Sequence, residues 1–156
     1  MKKNIVYFML VTLVSCIRDG KSITTLSLSN TTTHKVTLIP YYNGVVDSSR
    51  YKSLLPYDQI LIENNFQKGK TKIPVIFWDY FKQLDSLTVI WDDTFNMTHM
   101  LSDTFHSSTN FIQFAENRNI GLSASYIQSI KSESKISIEW SVIYNFTEQD
   151  YLDATQ

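Results

Sequence analysis

Apolar and polar residues alternate along the last third of the chain. Ile136, Ile138, Trp140, Val142, Tyr144 and Phe146 fall on one side. Ser137, Glu139, Ser141, Ile143 and Asn145 fall on the other. A period of two held this long suits a strand and not a helix. One face is wholly apolar and the other mostly polar, as in an antiparallel strand with one buried side. Upstream, Leu122 to Ile130 is strand-like, with Ala124, Tyr126 and Ile130 on one face. The short polar run Lys131-Ser132-Glu133-Ser134 between the two predicts a hairpin.

Earlier segments repeat the pattern. Ile23 to Ser29 sets Leu26 and Leu28 together, and Asn30-Thr31-Thr32-Thr33 reads as a turn. Lys35 to Tyr41 pairs Val36 with Leu38. Pro40 has no N–H to give a ladder, so this strand is expected to end there or to lie on an edge. Asn43-Gly44 is a tight-turn signal. Gln59 to Phe66 alternates Ile60, Ile62 and Phe66 against Leu61 and Glu63, with Gly69 marking the next turn. Leu87, Val89 and Trp91 alternate with Thr88 and Ile90. Asp92-Asp93-Thr94 closes that strand, and Phe95 to Leu101 returns antiparallel to it.

Pro74 to Leu84 fits strand or helical turn equally. Phe105 to Asn119 shows no period and reads as a long loop with a short helix. Thr147 followed by Asp150 has the pattern of a helix cap with an acid three residues on. Glu148 and Asp150 suit the positive end of a helix dipole, so Thr147 to Ala154 is expected to be a short helix. Seven or eight short strands with polar turns predict an all-β protein. Its architecture is expected to be an antiparallel β-sandwich, immunoglobulin-like in outline, with a small β-barrel as the alternative. The absence of βαβ alternation speaks against a parallel α/β fold.

The N-terminal residues differ in kind. Lys2 and Lys3 precede an apolar run from Ile5 to Val14, the layout of a secretory signal peptide. The run is too short to span a bilayer, which takes about 20 apolar residues. Leu13-Val14-Ser15-Cys16 resembles a bacterial lipobox: an aliphatic residue, a tolerant position, a small residue and the cysteine. The resemblance implies that Cys16 is lipidated and becomes the first residue of the mature protein. Residues 1–15 then form the signal peptide, 16–22 a lipidated tether made flexible by Gly20 and Lys21, and 23–156 a single β-rich domain.

A second resemblance covers two patches of the mature chain. Asp85-Ser86-Leu87-Thr88-Val89-Ile90-Trp91-Asp92-Asp93 is one. Tyr144-Asn145-Phe146-Thr147-Glu148-Gln149-Asp150-Tyr151, with Ala154, is the other. They are similar to a DSV-x-V-x-F-D-D strand and a closing Y-x-[IF]-T-x-x-D-Y-x-x-A in small lipoproteins of Bacteroidetes-type bacteria. Here Leu87 and Trp91 stand where that pattern has Val and Phe. The resemblance implies an envelope location and a β-rich fold, and no reaction.

Composition narrows the classes of partner. The whole chain carries 14 Lys and Arg against 15 Asp and Glu. Loss of residues 1–15 removes two lysines and no acid, leaving 12 bases and a formal charge of −3. With no Lys/Arg cluster along the sequence, nucleic acid and an anionic membrane surface are both disfavoured as partners. The single cysteine is Cys16, so the mature chain has no internal disulfide. Its 21 aromatic residues must supply the core.

Candidate chemistry is sparse. Asp92, Asp93, His99, Asp103 and His106 are metal-ligand types close in sequence, but their spacing fits no dedicated signature. Asp92 and Asp93 are better explained as turn residues, and His99 as an exposed residue on a strand. No metal, no cofactor and no catalytic residue are assigned. There is no G-x-S-x-G elbow, and the four glycines are isolated. Tyr41, Tyr42, Trp78 and Tyr80 are candidates for an aromatic binding surface, although Trp78 and Phe81 are better read as core. Tyr41 and Tyr42 belong at an exposed hairpin tip. Asp85-Ser86-Leu87 resembles an O-glycosylation acceptor of the same bacterial group, and Asn30, Asn96 and Asn145 begin N-glycosylation sequons treated as incidental.

The expected protein is therefore non-enzymatic and lipid-anchored in the cell envelope. Its role is binding or support of an assembly, with an envelope protein or a glycan as partner. Only Asp19 follows Cys16 as an acid, so an acidic surface-export tag is not evident. That favours an outer-membrane protein facing the periplasm over one on the cell surface. The alternatives are a toxin-neutralising immunity lipoprotein and an envelope hydrolase.

Overall fold

A computed structural model describes residues 20–74, 81, 84–101, 120 and 125–156. Within them lie β1 (Lys21–Asn30), β2 (Val36–Tyr42), β3 (Val45–Val46), a single 3-10 turn (Ser48–Arg50), β4 (Lys52–Leu54) and β5 (Gln59–Lys68). β6 (Ser86–Trp91), β7 (Phe95–Met100), β8 (Ile127–Glu133), β9 (Ser137–Phe146) and α1 (Glu148–Ala154) follow. They build a β-sandwich. One sheet has the order β5-β1-β9-β8. The other has β3-β2-β6-β7, with β4 also paired to β2. Neither sheet closes into a barrel.

The alternation that predicts β9 is also what buries it. Ile138, Trp140, Val142, Tyr144 and Phe146 all point inward and are buried. Leu26 and Leu28 of β1 join them from the same sheet. Val36 and Leu38 of β2 and Leu87, Val89 and Trp91 of β6 face them from the other. Trp91 meets Phe146 edge-on across the sandwich, with centroids 5.8 Å apart. Phe81, read from sequence as core, is buried in the same cluster.

Most pairings are antiparallel, but β1 and β9 run parallel in the middle of their sheet, from Lys21↔Ser137 to Asn30↔Phe146. Local pattern carries no information on such a pairing. Three smaller expectations are corrected and one is refined. Pro40 does not end β2, but it does lie at a local edge, in the gap between the stretches of β2 that pair with β4 and with β3. The strand continues to Tyr42, and Pro40 pairs in register with Leu87. Its carbonyl accepts from Asp47 N at 2.8 Å. A residue's N–H and C=O point to the same side of a strand, so its missing donor faces the break between β3 and β4 and costs no ladder bond to β6.

Phe66 does not share a face with Ile60 and Ile62. A bulge shifts the register between Leu26↔Glu63 and Ser27↔Leu61. The extra residue reverses the alternation. Ile60 and Ile62 pack against the core, while Phe66 turns outward and is 70% exposed.

Lys131, Ser132 and Glu133 are strand residues and not the connection. The turn lies one step later, where Ser134 N donates to Ser137 O at 2.8 Å. Gly20, Lys21 and Ser22, read as tether, belong to the fold. Lys21 begins β1, Gly20 O accepts from Gly69 N at 2.6 Å, and a side chain on Gly20 would come within 3.0 Å of Lys70 N. The helix forms where its cap predicts. Asp150 Oδ2 accepts from Thr147 N at 2.7 Å and from Thr147 Oγ1 at 3.0 Å. Cys16 and its lipobox, Trp78, Tyr80, Asp103 and His106 lie outside the described residues, as do nearly all of the two segments without a clear period.

Candidate functional site

The densest polar constellation sits where three elements meet at one end of the sandwich. Asn30 closes β1 and is buried. Its Nδ2 donates to His34 O at 2.7 Å and to Leu55 O at 2.9 Å. Its Oδ1 accepts from Thr32 N and Thr32 Oγ1. These bonds set the turn between β1 and β2 and deliver His34 to the surface. With both amide hydrogens committed, Asn30 is a structural hub in spite of its sequon.

Opposite it, Asp92, Asp93 and Thr94 form the three-residue connection between β6 and β7. The φ angles of Asp92 and Asp93 are 48° and 59°, the left-handed pair of a type I′ turn, which Thr94 N closes by donating to Trp91 O at 2.9 Å. The expectation that they are turn residues holds. The Asp92 carboxylate accepts from Lys35 N at 2.8 Å through Oδ1 and lies 2.6 Å from His34 Nδ1 through Oδ2. The hydrogen bond with His34, and then the one from Lys35 N–H, hold the Asp92 carboxyl below its ordinary value. Asp93 pairs with Lys35 Nζ at 2.9 Å.

The C-terminal helix completes the group. Glu148 Oε2 lies 3.6 Å from His34 Nε2, and its Oε1 accepts from Thr33 N at 3.2 Å. Tyr151 stacks flat on the His34 ring, with centroids 3.6 Å apart and planes 10° from parallel. Tyr151 in turn meets Trp91 and Phe95 edge-on. His34 thus has a carboxylate facing each ring nitrogen and an aromatic face beneath it. Both nitrogens are engaged within the protein, so the group works as a clasp joining helix, turn and hairpin. Sequence reasoning missed His34. Its one available signal was a histidine just past a turn-forming run, which is weak.

No protein-family model matches this chain, and no curated protein matches it significantly.

Of the metal-type residues singled out from sequence, the three that are described, Asp92, Asp93 and His99, do not converge. Asp92 and Asp93 are at the tip of the β6–β7 hairpin. His99 is four residues along β7 from Phe95, about 13 Å further down by strand rise. Among the described residues, no three His, Cys, Asp or Glu side chains are grouped to hold a metal ion. His99 is also not the exposed strand residue that was expected. It is 3% exposed, and its Nδ1 accepts from Ile120 N at 3.2 Å. Ile120 O in turn accepts from Tyr126 Oη at 2.8 Å. Burial pushes the Tyr126 hydroxyl well above the ordinary tyrosine range, with smaller contributions from Tyr144 and Glu63. The inward alternation of Met97 and His99 on β7 explains the burial.

His99 therefore anchors the Ile120 backbone. His99→Ala is expected to lose about 1–3 kcal/mol, the cost of orphaning a buried N–H, as measured by chemical denaturation. An unchanged midpoint would refute this role.

Of the proposed aromatic surface, two members are described. Tyr41 is half-buried. Tyr42 is 46% exposed beside the Asn43-Gly44 turn, with Val45 and Val46 exposed across from it. The turn is held from outside, as Gly44 N donates to Asp85 Oδ2 at 2.7 Å.

The fold brings Lys21 and Lys135 to the run Lys68, Lys70 and Lys72, which the chain already places within five residues. Gly20-Lys21, the turn after β5 and the β8–β9 turn meet at the end of the sandwich opposite His34. Lys21 and Lys68 are in direct register. Lys70 Nζ donates to Ser134 O at 2.8 Å and pairs with Glu133 at 2.6 Å. Lys72 and Lys135 lie in the same two turns. The expectation of no Lys/Arg cluster is corrected at this end of the molecule.

Proposed function

We propose that this chain is a bacterial lipoprotein, anchored through Cys16, whose β-sandwich serves a non-enzymatic binding or assembly-support role in the cell envelope. The observation that carries the reading is the order Lys2-Lys3, apolar run, Leu13-Val14-Ser15-Cys16. What adds to it is the economy of the chain. Four residues after Cys16 comes Gly20, already part of a folded domain. The two patches similar to Bacteroidetes-type lipoproteins support the same reading. They are the β6–β7 strand and turn and the C-terminal cap and helix, and they meet in the His34 clasp. Family resemblance in these patches then reflects one structural joint. The non-enzymatic role is supported by what the described polar groups do: Asn30, Asp92 and His99 each hold a loop. The short, acid-poor segment after Cys16 favours the outer membrane with the domain towards the periplasm.

The anchor is tested by growth with a labelled fatty acid. Wild type is expected to carry the label and Cys16→Ser to carry none. Equal labelling of the two would overturn the reading.

A further inference from the structure

The end of the sandwich nearest the proposed anchor is basic and apolar at once. Lys21, Lys68, Lys70, Lys72 and Lys135 are all exposed there. Two acids lie nearby: Glu133, at the end of β8, is taken by Lys70, and Glu139 stands on the outer face of β9 opposite Ile23. Lys21 and Lys68 are directly opposed across β1 and β5. Three large apolar side chains stand among these lysines. Ile73 is 71% exposed, Ile136 is 42% exposed, and Phe66 lies outward with the Lys21 ammonium 5.8 Å from its ring centroid. Exposed apolar groups ringed by lysines suit a membrane interface, where the rings and branched chains enter the acyl boundary and the ammonium groups stay at headgroup level. The far end has the opposite charge, with Asp58, Asp92, Asp93 and Glu148.

We infer that this basic end is a docking face for anionic phospholipid headgroups, and that it seats the domain upright on its own membrane with the His34 end directed away. The inference rests on the lipid anchor proposed above. Cys16 is four residues from Gly20, and four residues reach at most about 14 Å. A lipid on Cys16 therefore holds this end of the fold, and not the acidic one, within about a Debye length or two of the headgroups. That is close enough for the face to reach the headgroups, and once it is seated there each lysine contributes about a five-fold gain in docking to an anionic surface, a gain that falls off within a Debye length. Anchor and patch then act together, the lipid supplying effective concentration and the lysines orientation.

The test uses the lipidated protein in vesicles. Cys16 is the only native cysteine and is blocked by its lipid, so an introduced cysteine is a unique labelling site. A fluorophore is placed at the basic end through Ile73→Cys, or at the far end through Leu152→Cys. Vesicles contain phosphatidylethanolamine, a nitroxide-labelled lipid as quencher, and either phosphatidylglycerol or phosphatidylcholine. The label at position 73 is expected to be quenched with phosphatidylglycerol and the label at 152 is not. Replacing phosphatidylglycerol by phosphatidylcholine, raising the salt, or introducing Lys21→Glu, Lys72→Glu and Lys135→Glu together is expected to remove most of the quenching. Lys70 is left intact because it holds the β8–β9 turn. Equal quenching at both positions, or quenching indifferent to lipid charge and to the three reversals, overturns the docking face. So does a basic end that stays open to a water-soluble quencher on both vesicles, which leaves it to a soluble partner. In each of these cases the protein remains on the vesicles and the anchor stands. Failure of the protein to stay with vesicles of either composition overturns the anchor itself, and the docking face with it.

Discussion

Trp140→Ala is expected to lower stability by about 3–5 kcal/mol, the range for truncating a buried aromatic with a cavity left behind. Trp140 points inward from β9 between Thr24 of β1 and Ile130 of β8 and is 9% exposed. A loss of that size is a large share of the roughly 5–15 kcal/mol typical of a domain. Its indole N–H is buried and has no hydrogen-bond partner among the described residues. The residue therefore contributes through area and shape, and Trp140→Phe is expected to cost far less than Trp140→Ala. Ser141→Ala, on the outer face of the same strand, is expected to stay within about 0.5 kcal/mol. Urea titration of the three variants separates these outcomes. An unchanged midpoint for Trp140→Ala would show the inward face of β9 to be misassigned.

Asn30→Ala is expected to cost about 1–3 kcal/mol, the range for orphaning a buried group. The substitution leaves Thr32 N without its acceptor and takes one of two donors from each of two carbonyls, His34 O keeping Thr32 Oγ1 at 3.3 Å and Leu55 O keeping Asp58 N at 3.1 Å. Asn30→Asp is expected to be as damaging, because a carboxylate can accept from Thr32 but cannot donate to the two carbonyls. Both variants also loosen the turn that presents His34. Hydrogen exchange in α1 is therefore expected to quicken more than exchange in β6. Equal change in both, or stability within about 0.5 kcal/mol (the noise of surface substitutions), would remove Asn30 from the centre of this joint.

These two residues also mark where sequence is and is not informative. The period of two around Trp140 is a direct consequence of strand geometry, so β9, β6 and the face each buries are legible in the chain's own pattern. The hairpin at Asn43-Gly44 and the capped helix after Thr147 are equally local, since their signals lie within four residues. The outward turn of Phe66 escapes such a reading because a single bulge residue reverses a face without leaving a mark in composition. The place of Pro40 escapes it because a proline's tolerance depends on which neighbour its backbone faces. The burial of His99 depends on Ile120, 21 positions away. The His34 clasp joins segments that are remote in sequence, and a linear scan for ligand spacing cannot find it, whereas the lysine-rich end is half legible in the run Lys68, Lys70 and Lys72, to which the fold adds Lys21 and Lys135.

The parallel pairing of β1 with β9 has a bearing on when this protein can fold. β1 is made well before its ten-residue partner β9, and the centre of one sheet stays open until β9 is available. Contacts that remote in sequence carry a large loop-closure cost and slow the search for the native state. Under the export proposed above, a chain built this way would remain threadable until β9 had crossed.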